Sequence, residues 1–420
     1  MIMRASGSVA TSVLVRIREE YRSLPPIYWT LFLGTLINKA GGFVVPFLAL
    51  YITGRGGSEG EAGVVMALYG GGAILAGITG GFMADRVGRK TTMLVSFFGG
   101  AMAMLAISVS RSLSEICATT FFMGWLAELY RPAVSACTAD LVPPLDRPRA
   151  YAHLYWANNL GFAIAPILGG LIASKSFTAL FVGDAVTLAA YGVLVLLRVP
   201  ETRPEALQSF GRWPSTWCAP QSRGAVVDWT FLGFVLLMLG LTLVMWQDRS
   251  SLPLDLRRHG IDQATYGSIM CVNGVMIVLF QPSVTWALST WSRTSVLAWA
   301  SFLFGVGYGL YGVVSSVPGY LFAIIIWTVG EMAVVPTAAA VVADLAPVTL
   351  RGRYQGLYSM SFGVASCIGP LLGVAVLQRM GGQALWFCCF ALMLLVSLGQ
   401  LALGRARTVR EATAHNTGHA

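Results

Sequence analysis

The strongest constraint on this chain is a succession of apolar segments, each about 20 residues long, separated by short turns that hold most of the charge. A segment of that length crosses about 30 Å of hydrocarbon as a helix, and inside a bilayer only helices and closed barrels satisfy all of their backbone groups. No alternating pattern of barrel strands is visible. The chain therefore reads as an all-α integral membrane protein. Its composition agrees: 56% of the residues are hydrophobic and 11% are charged, whereas soluble domains carry about 25% charged residues.

Twelve spans are predicted, near residues 27–51, 62–83, 92–109, 115–138, 151–173, 177–197, 228–247, 264–286, 295–315, 319–341, 355–378 and 383–404. Topology follows the distribution of Lys and Arg. With the N-terminus inside, nineteen of the 28 basic residues face the cytoplasm, seven lie outside, and Lys39 and Arg131 fall within spans. Both termini are expected in the cytoplasm of a multi-pass protein of the cell membrane, a bacterial inner membrane. The net charge of +9 is thereby topogenic; it is spread over inner loops rather than gathered into a basic patch, so no nucleic-acid partner is expected. The first 26 residues lack a small-residue cleavage site after a short apolar core and do not read as a cleaved signal.

An internal repeat orders the spans. Pro132, Asp140, Leu141, Pro143, Arg147, Arg149, Pro166 and Gly169 recur as Pro336, Asp344, Leu345, Pro347, Arg351, Arg353, Pro370 and Gly373, always 204 positions later. Gly63, Met66, Gly70 and Arg89 recur as Gly267, Met270, Gly274 and Arg293 in the same register. A constant displacement over so long a stretch predicts two homologous halves. The expected organisation is a cytoplasmic segment 1–26, a six-helix bundle 27–198, a cytoplasmic linker 199–226, a second six-helix bundle 227–404 and a tail 405–420. Six spans per half place the copies in parallel orientation, with a substrate site between them near the midplane.

The turn Gly81-Phe82-Met83-Ala84-Asp85-Arg86-Val87-Gly88-Arg89-Lys90, between spans 2 and 3, resembles the signature of the major facilitator superfamily, with Met83 where Leu is commoner. The resemblance covers nearly the whole chain and implies a twelve-helix transporter in two parallel-repeat bundles. Gly88 permits a tight reversal, and Arg86, Arg89 and Lys90 anchor it at the anionic inner leaflet. In that fold Asp85 is expected at the N-terminus of helix 11 as a conformational latch, with Asp140 the partner of Arg89. In the second half Ser289 replaces Asp85. These charges serve either as that latch or as topology signals alone.

Gly161, Ala165, Pro166, Gly169 and Gly170 in span 5 resemble the helix 5 pattern of the drug:proton antiporter branch, with Ala165 in place of Gly. Small residues at i, i+4 and i+8 allow close helix approach, and Pro166 bends the helix. The resemblance implies an exporter. Another superfamily signature, an arginine four residues before a glycine on helix 4, is absent: Thr120 precedes Gly124.

Ionisable residues within spans are costly, about 2.5–3.5 kcal/mol each on insertion scales, and such residues face a partner or a wet cavity. Lys39 lies in span 1, Glu128 and Arg131 in span 4, Asp184 in span 6 and Glu331 in span 10. Glu128 and Arg131 stand at i, i+3 and can pair, with Lys39 competing for the same carboxylate. Glu331 has no charged neighbour on its helix. Because desolvation favours the neutral form of a carboxyl group, Glu331 is the first candidate for proton exchange, Glu128 the second and Asp184 the third; each is otherwise a paired or helix-tethering carboxylate.

Asn38, Asn158, Asn159, Asn273, Trp327 and Tyr358 belong to helices that line the cavity in this fold, either as substrate contacts or as packing residues. The seven cysteines form no Cys-x-x-Cys pair, and His153, His259, His415 and His419 form no ligand cluster. With no phosphate-binding glycine loop, no metal or cofactor is expected and the proton gradient is the expected energy source. The chain is predicted to be a monomeric secondary transporter, not an enzyme, exporting amphipathic drug-like compounds in exchange for protons. A proton-coupled importer of a small metabolite and a non-transporting receptor on the same fold remain alternatives.

Overall fold

The computed structural model describes residues 24–143, 146–203, 229–345 and 351–417, and every regular element among them is helical. The predicted N-terminal segment and linker lie almost wholly outside these residues. The first half comprises α1 (Pro26–Ala40), α2 (Val44–Gly54), α3 (Glu59–Arg86), α4 (Arg89–Val109), α5 (Leu113–Glu128), α6 (Tyr130–Leu141), α7 (Arg147–Ala173) and α8 (Phe177–Arg198). The second comprises α9 (Trp229–Met245), a 3-10 turn (Trp246–Asp248), α10 (Leu252–Arg258), α11 (Gln263–Ala287), α12 (Arg293–Leu310), α13 (Val317–Leu345), α14 (Arg351–Met380) and α15 (Gly382–Thr417). Among the described residues, ten helical stretches are long and apolar enough to cross a membrane.

Two expected spans are interrupted and a third runs on beyond its expected end. The first breaks at residues 41–43 and the fourth at Leu129. In each, a proline stands three residues into the second piece, Pro46 in α2 and Pro132 in α6. A proline ring collides with the carbonyl four residues earlier, and those residues, Gly42 and Glu128, lie in or beside the breaks. The seventh span does not end at 247: the 3-10 turn and α10 continue it, carrying Arg249, Arg257 and Arg258 on a helical extension rather than an outer loop.

Helix pairing repeats between the halves. In the first, α1 packs on α7 and α8, α3 on α5, and α4 on α5 and α8. In the second, α9 packs on α14 and α15, α11 on α13, and α12 on α13 and α15. Each of these contacts maps onto its counterpart.

Two seams join the halves, α7 against α11 and α3 against α14, and they are built from the repeated residues. A Cβ on Gly267 would collide with the Pro166 carbonyl, and one on Gly274 with the backbone of Ala163. At the other seam Gly63 abuts the Pro370 carbonyl and Val374, while Gly70 abuts the backbone of Ser366 and Cys367. Small residues in register let the two backbones touch, as membrane helices require when no hydrophobic force draws them together. At the end of the bundle opposite the Gly88 turn, Arg258 of α10 pairs with Glu59 of α3, and Arg257 Nη1 donates to Thr53 Oγ1 at 2.8 Å.

Candidate functional site

Each half presents a carboxylate from its fourth span, held from its second. In the first half Tyr69 of α3 donates its hydroxyl to Glu128 Oε1 at 2.9 Å. In the second Asn273 of α11 donates Nδ2 to Glu331 Oε2 at 2.7 Å and to Thr328 Oγ1 at 3.1 Å. Tyr69 and Asn273 are 204 positions apart, and the two glutamates 203. The surroundings then diverge: Glu128 forms an ion pair with Arg131, whereas the hydrogen bonds to Glu331 come from an amide. Glu128 is nearly enclosed, its side chain 14% exposed, while Arg131 is 59% exposed.

Asp184, 3% exposed, accepts the Val44 N–H through Oδ2 at 3.1 Å. It thereby caps the first turn of α2, whose leading N–H groups lost their partners at the break. This geometry gives the carboxylate a helix-tethering place rather than an open one. Lys39 does not reach Glu128 as an ion pair. Its ammonium lies 5.6 Å from the centre of the Tyr130 ring and 5.7 Å from that of Phe162.

Two charged residues fall just past the expected end of span 7: Asp248, which the sequence reading passed over, and Arg249, which it counted among the seven outer basic residues. Asp248 is buried, and its Oδ1 has no hydrogen-bond partner. Arg249 stands 3.7 Å from Asp248 Oδ2 through Nε. Its guanidinium lies 5.5 Å from the Phe162 ring centre and 5.3 Å from that of Trp246.

The charged turn forms a compact network. Arg89, with its side chain 6% exposed, reaches Asp85 at 3.2 Å and Asp140 at 3.1 Å, and donates Nη1 to the Ala84 carbonyl at 2.8 Å. Gly88 has φ +123°, a conformation side-chain-bearing residues rarely adopt. Sequence reasoning missed the keystone, Glu201, just beyond α8. Its carboxylate accepts the N–H groups of Arg89 at 2.8 Å and Lys90 at 3.2 Å, capping α4, and fills the space a Cβ on Gly88 would need. Lys90 Nζ reaches the Leu196 carbonyl at 2.9 Å, and the Arg86 guanidinium lies over Phe82. Around Gly81 there is open space. Residues 346–350, just before α14, which is the eleventh expected span, lie outside the described residues, and so does the expected meeting of Asp85 with the start of that span.

Helix α7 fits between neighbours on two sides. Gly161 abuts Lys39 and Ala40, Gly169 abuts Phe47, and Gly170 abuts Gln263 and Ala264 of the other half. Ala165 is buried, and Pro166 bears on Gly267.

The cavity candidates divide. Trp327 takes the packing alternative: it is 1% exposed, packs among Phe304 and Tyr308, and donates Nε1 to Tyr311 Oη at 2.7 Å, so it belongs to the core of the second half. An indole with its N–H satisfied internally has no group left for a substrate. Asn158 and Asn159 bond the carbonyls of Leu154 and Tyr155 on their own helix, at 2.8 and 2.9 Å. Asn38 is buried, and Tyr358 stacks between Phe234 and Phe362. Asn273 alone among the six touches an ionisable group of the site.

Comparison with known proteins agrees with this architecture. The profile of the Major Facilitator Superfamily matches residues 31–248 and 249–418. A Bacillus subtilis protein named uncharacterized MFS-type transporter YqjV is 26% identical over 415 residues, 95% of this chain and 98% of the relative. The Na(+), Li(+), K(+)/H(+) antiporter of Planococcus maritimus is 25% identical over 370 residues, 80% of this chain and 85% of the relative. The class H tetracycline resistance protein of Pasteurella multocida is 24% identical over 317 residues, 74% and 78% of the two chains.

Proposed function

Since this chain belongs to the Major Facilitator Superfamily, we propose that it exports small amphipathic organic compounds across the cell membrane in exchange for protons, by alternating access. The observation that carries the reading is the pair of carboxylates in equivalent helices of the two halves, one paired with Arg131 and the other held by Asn273. Proton antiport needs a carboxylate that can be neutral or charged as the cavity changes sides; Glu331, held by an amide, fits better than Glu128.

Export rather than import is supported by the small-residue and proline pattern of α7 and by relatives named for tetracycline resistance and for cation/proton antiport. The seams at Gly267 and Gly274 give the halves smooth tracks on which to rock. The Arg89, Asp85 and Asp140 network stiffens the turn between α3 and α4 and is released or remade as they do so. The gradient, not a bound cofactor, supplies the energy. The chain works as a monomer with both termini in the cytoplasm, so the Glu59 and Arg258 contact closes the outer end.

The test is accumulation of dyes and antibiotics of each charge in a bacterium lacking its own pumps. Expression should lower accumulation of at least one class, and a protonophore should restore it. Unchanged accumulation across the panel, or proton-driven uptake, would overturn the reading. The Planococcus relative favours a second reading, exchange of a monovalent cation for protons; in everted vesicles Na(+) or K(+) would then dissipate a preformed proton gradient without any organic compound.

A further inference from the structure

Two cations converge on one aromatic ring between the halves. Phe162 of α7, 39% exposed, has the Lys39 ammonium 5.7 Å from its centre and the Arg249 guanidinium 5.5 Å away. Lys39 comes from the first half and Arg249 from the second. Neither makes a hydrogen bond to a protein acceptor among the described residues, and the nearest ion pair, Arg249 with Asp248, spans 3.7 Å, beyond hydrogen-bond range. An arginine has five N–H donors and a lysine three, so this pocket holds a surplus of donors.

Most acceptors nearby are already held, Asp248 Oδ1 excepted. Glu128 is held by Tyr69 and Arg131, Glu331 by Asn273, and Asp184 by the Val44 N–H. Asp248 offsets the charge of Arg249 alone, so what the protein leaves open to a ligand is the ammonium of Lys39 together with the N–H donors of Arg249 that Asp248 does not engage. Two like charges brought to one ring repel each other, and an anion lying between them relieves that repulsion.

We propose that Lys39, Arg249 and Phe162 form a binding site for the anionic group of an aromatic organic acid, a carboxylate or sulfonate whose ring stacks on Phe162. The site deepens the transporter reading and rests on it, by naming the substrate class. Because its two cations belong to different halves, the anion is gripped from both sides only while this face of the cavity is assembled. Rocking the halves apart removes one of them and weakens the grip, so the ligand itself links binding to the change of state.

The experiment uses the full-length protein in lipid nanodiscs and three ligands of one shape: 2-naphthoate, 2-naphthamide and 2-naphthylmethylammonium, with affinity read by calorimetry. The naphthoate should bind about tenfold or more tighter than the amide, the scale expected of a charge-assisted hydrogen bond, and the ammonium should bind weakest. Arg249→Gln and Lys39→Gln should each remove most of the naphthoate advantage and leave the amide unchanged. Lys39→Arg should retain it, which a merely structural lysine would not require. Equal affinities for the three ligands, preference for the ammonium, no naphthoate binding, or a naphthoate advantage that survives both Gln variants would overturn the proposal. Charge-selective binding without proton-coupled movement in proteoliposomes would leave this site standing and refute the transport reading instead.

Discussion

Tyr69 and Asn273 occupy equivalent places in the two halves, and each donates to a glutamate of the fourth helix of its half, yet the two glutamates are not alike. Glu128 has a guanidinium beside it; Glu331 has an amide. The same divergence recurs at the inner turns. Gly88, with its left-handed backbone, is capped from a distance by Glu201, whereas its repeat counterpart Ser292 caps α12 with its own hydroxyl on the Ser295 N–H at 3.2 Å. Duplication kept the packing residues, the glycines and prolines of the seams, because both copies must bring backbones into contact. It kept only some of the charges: Arg89, Asp140, Arg147 and Arg149 recur, whereas Asp85 and Arg131 correspond to Ser289 and Val335. Charged groups are expensive in a bilayer, so where the halves differ in charge, the difference marks a place where they do different things.

Substitution at the turns should give the largest difference. Gly88→Val forces a β-branched side chain into a positive-φ position and into the Glu201 carboxylate, and should cost about 3 kcal/mol. Ser292→Val loses only a cap, about 1 kcal/mol. Thermal unfolding of the two purified variants checks this, and equal shifts would show that the turns are equivalent after all.

A smaller effect is expected at the carboxylates. Arg131→Leu leaves the Glu128 charge without its partner and should destabilise by about 2 kcal/mol, the worth of a charge-assisted bond at a nearly buried site. Adding Glu128→Gln should restore most of the loss, since the amide no longer needs a counter-charge. A melting temperature for the double variant no higher than that of Arg131→Leu alone would break the assignment of Glu128 as a paired, structural group.

The finest distinction concerns the two donors. Tyr69→Phe removes one hydrogen bond and Asn273→Leu removes two, and each lost bond should cost about 1 kcal/mol in stability. Only Asn273→Leu should slow proton-coupled transport in proteoliposomes at matched protein. Equal slowing by both would mean that the two carboxylates share the task.

Much of this was legible in the sequence because the bilayer limits the solutions. Apolar length gave helices, and a constant displacement of 204 gave the repeat that reappears as equivalent helix pairing and seams. Local events needed contacts that no spacing reveals. Pro46 and Pro132 were visible, yet whether a helix runs on through a proline, as α7 does at Pro166, or splits there depends on what satisfies the freed groups; at the first break the answer is Asp184, 140 residues away. Glu201 and Asp248 were overlooked because each sits at the edge of a predicted span, where helix boundaries are least certain. Trp327 shares a helix with Glu331 but turns its ring into the core of its own half. The equivalence of Tyr69 and Asn273 was there to be found in the register, and only their partners made it conspicuous.

The central claim is that Glu331 exchanges the proton. Glu331→Gln mimics the protonated carboxyl and can keep the bond to Asn273. With this variant in proteoliposomes, energised efflux and downhill substrate exchange are measured on the same preparation. The account predicts that efflux against the gradient is lost while downhill exchange persists; intact energised efflux would contradict it.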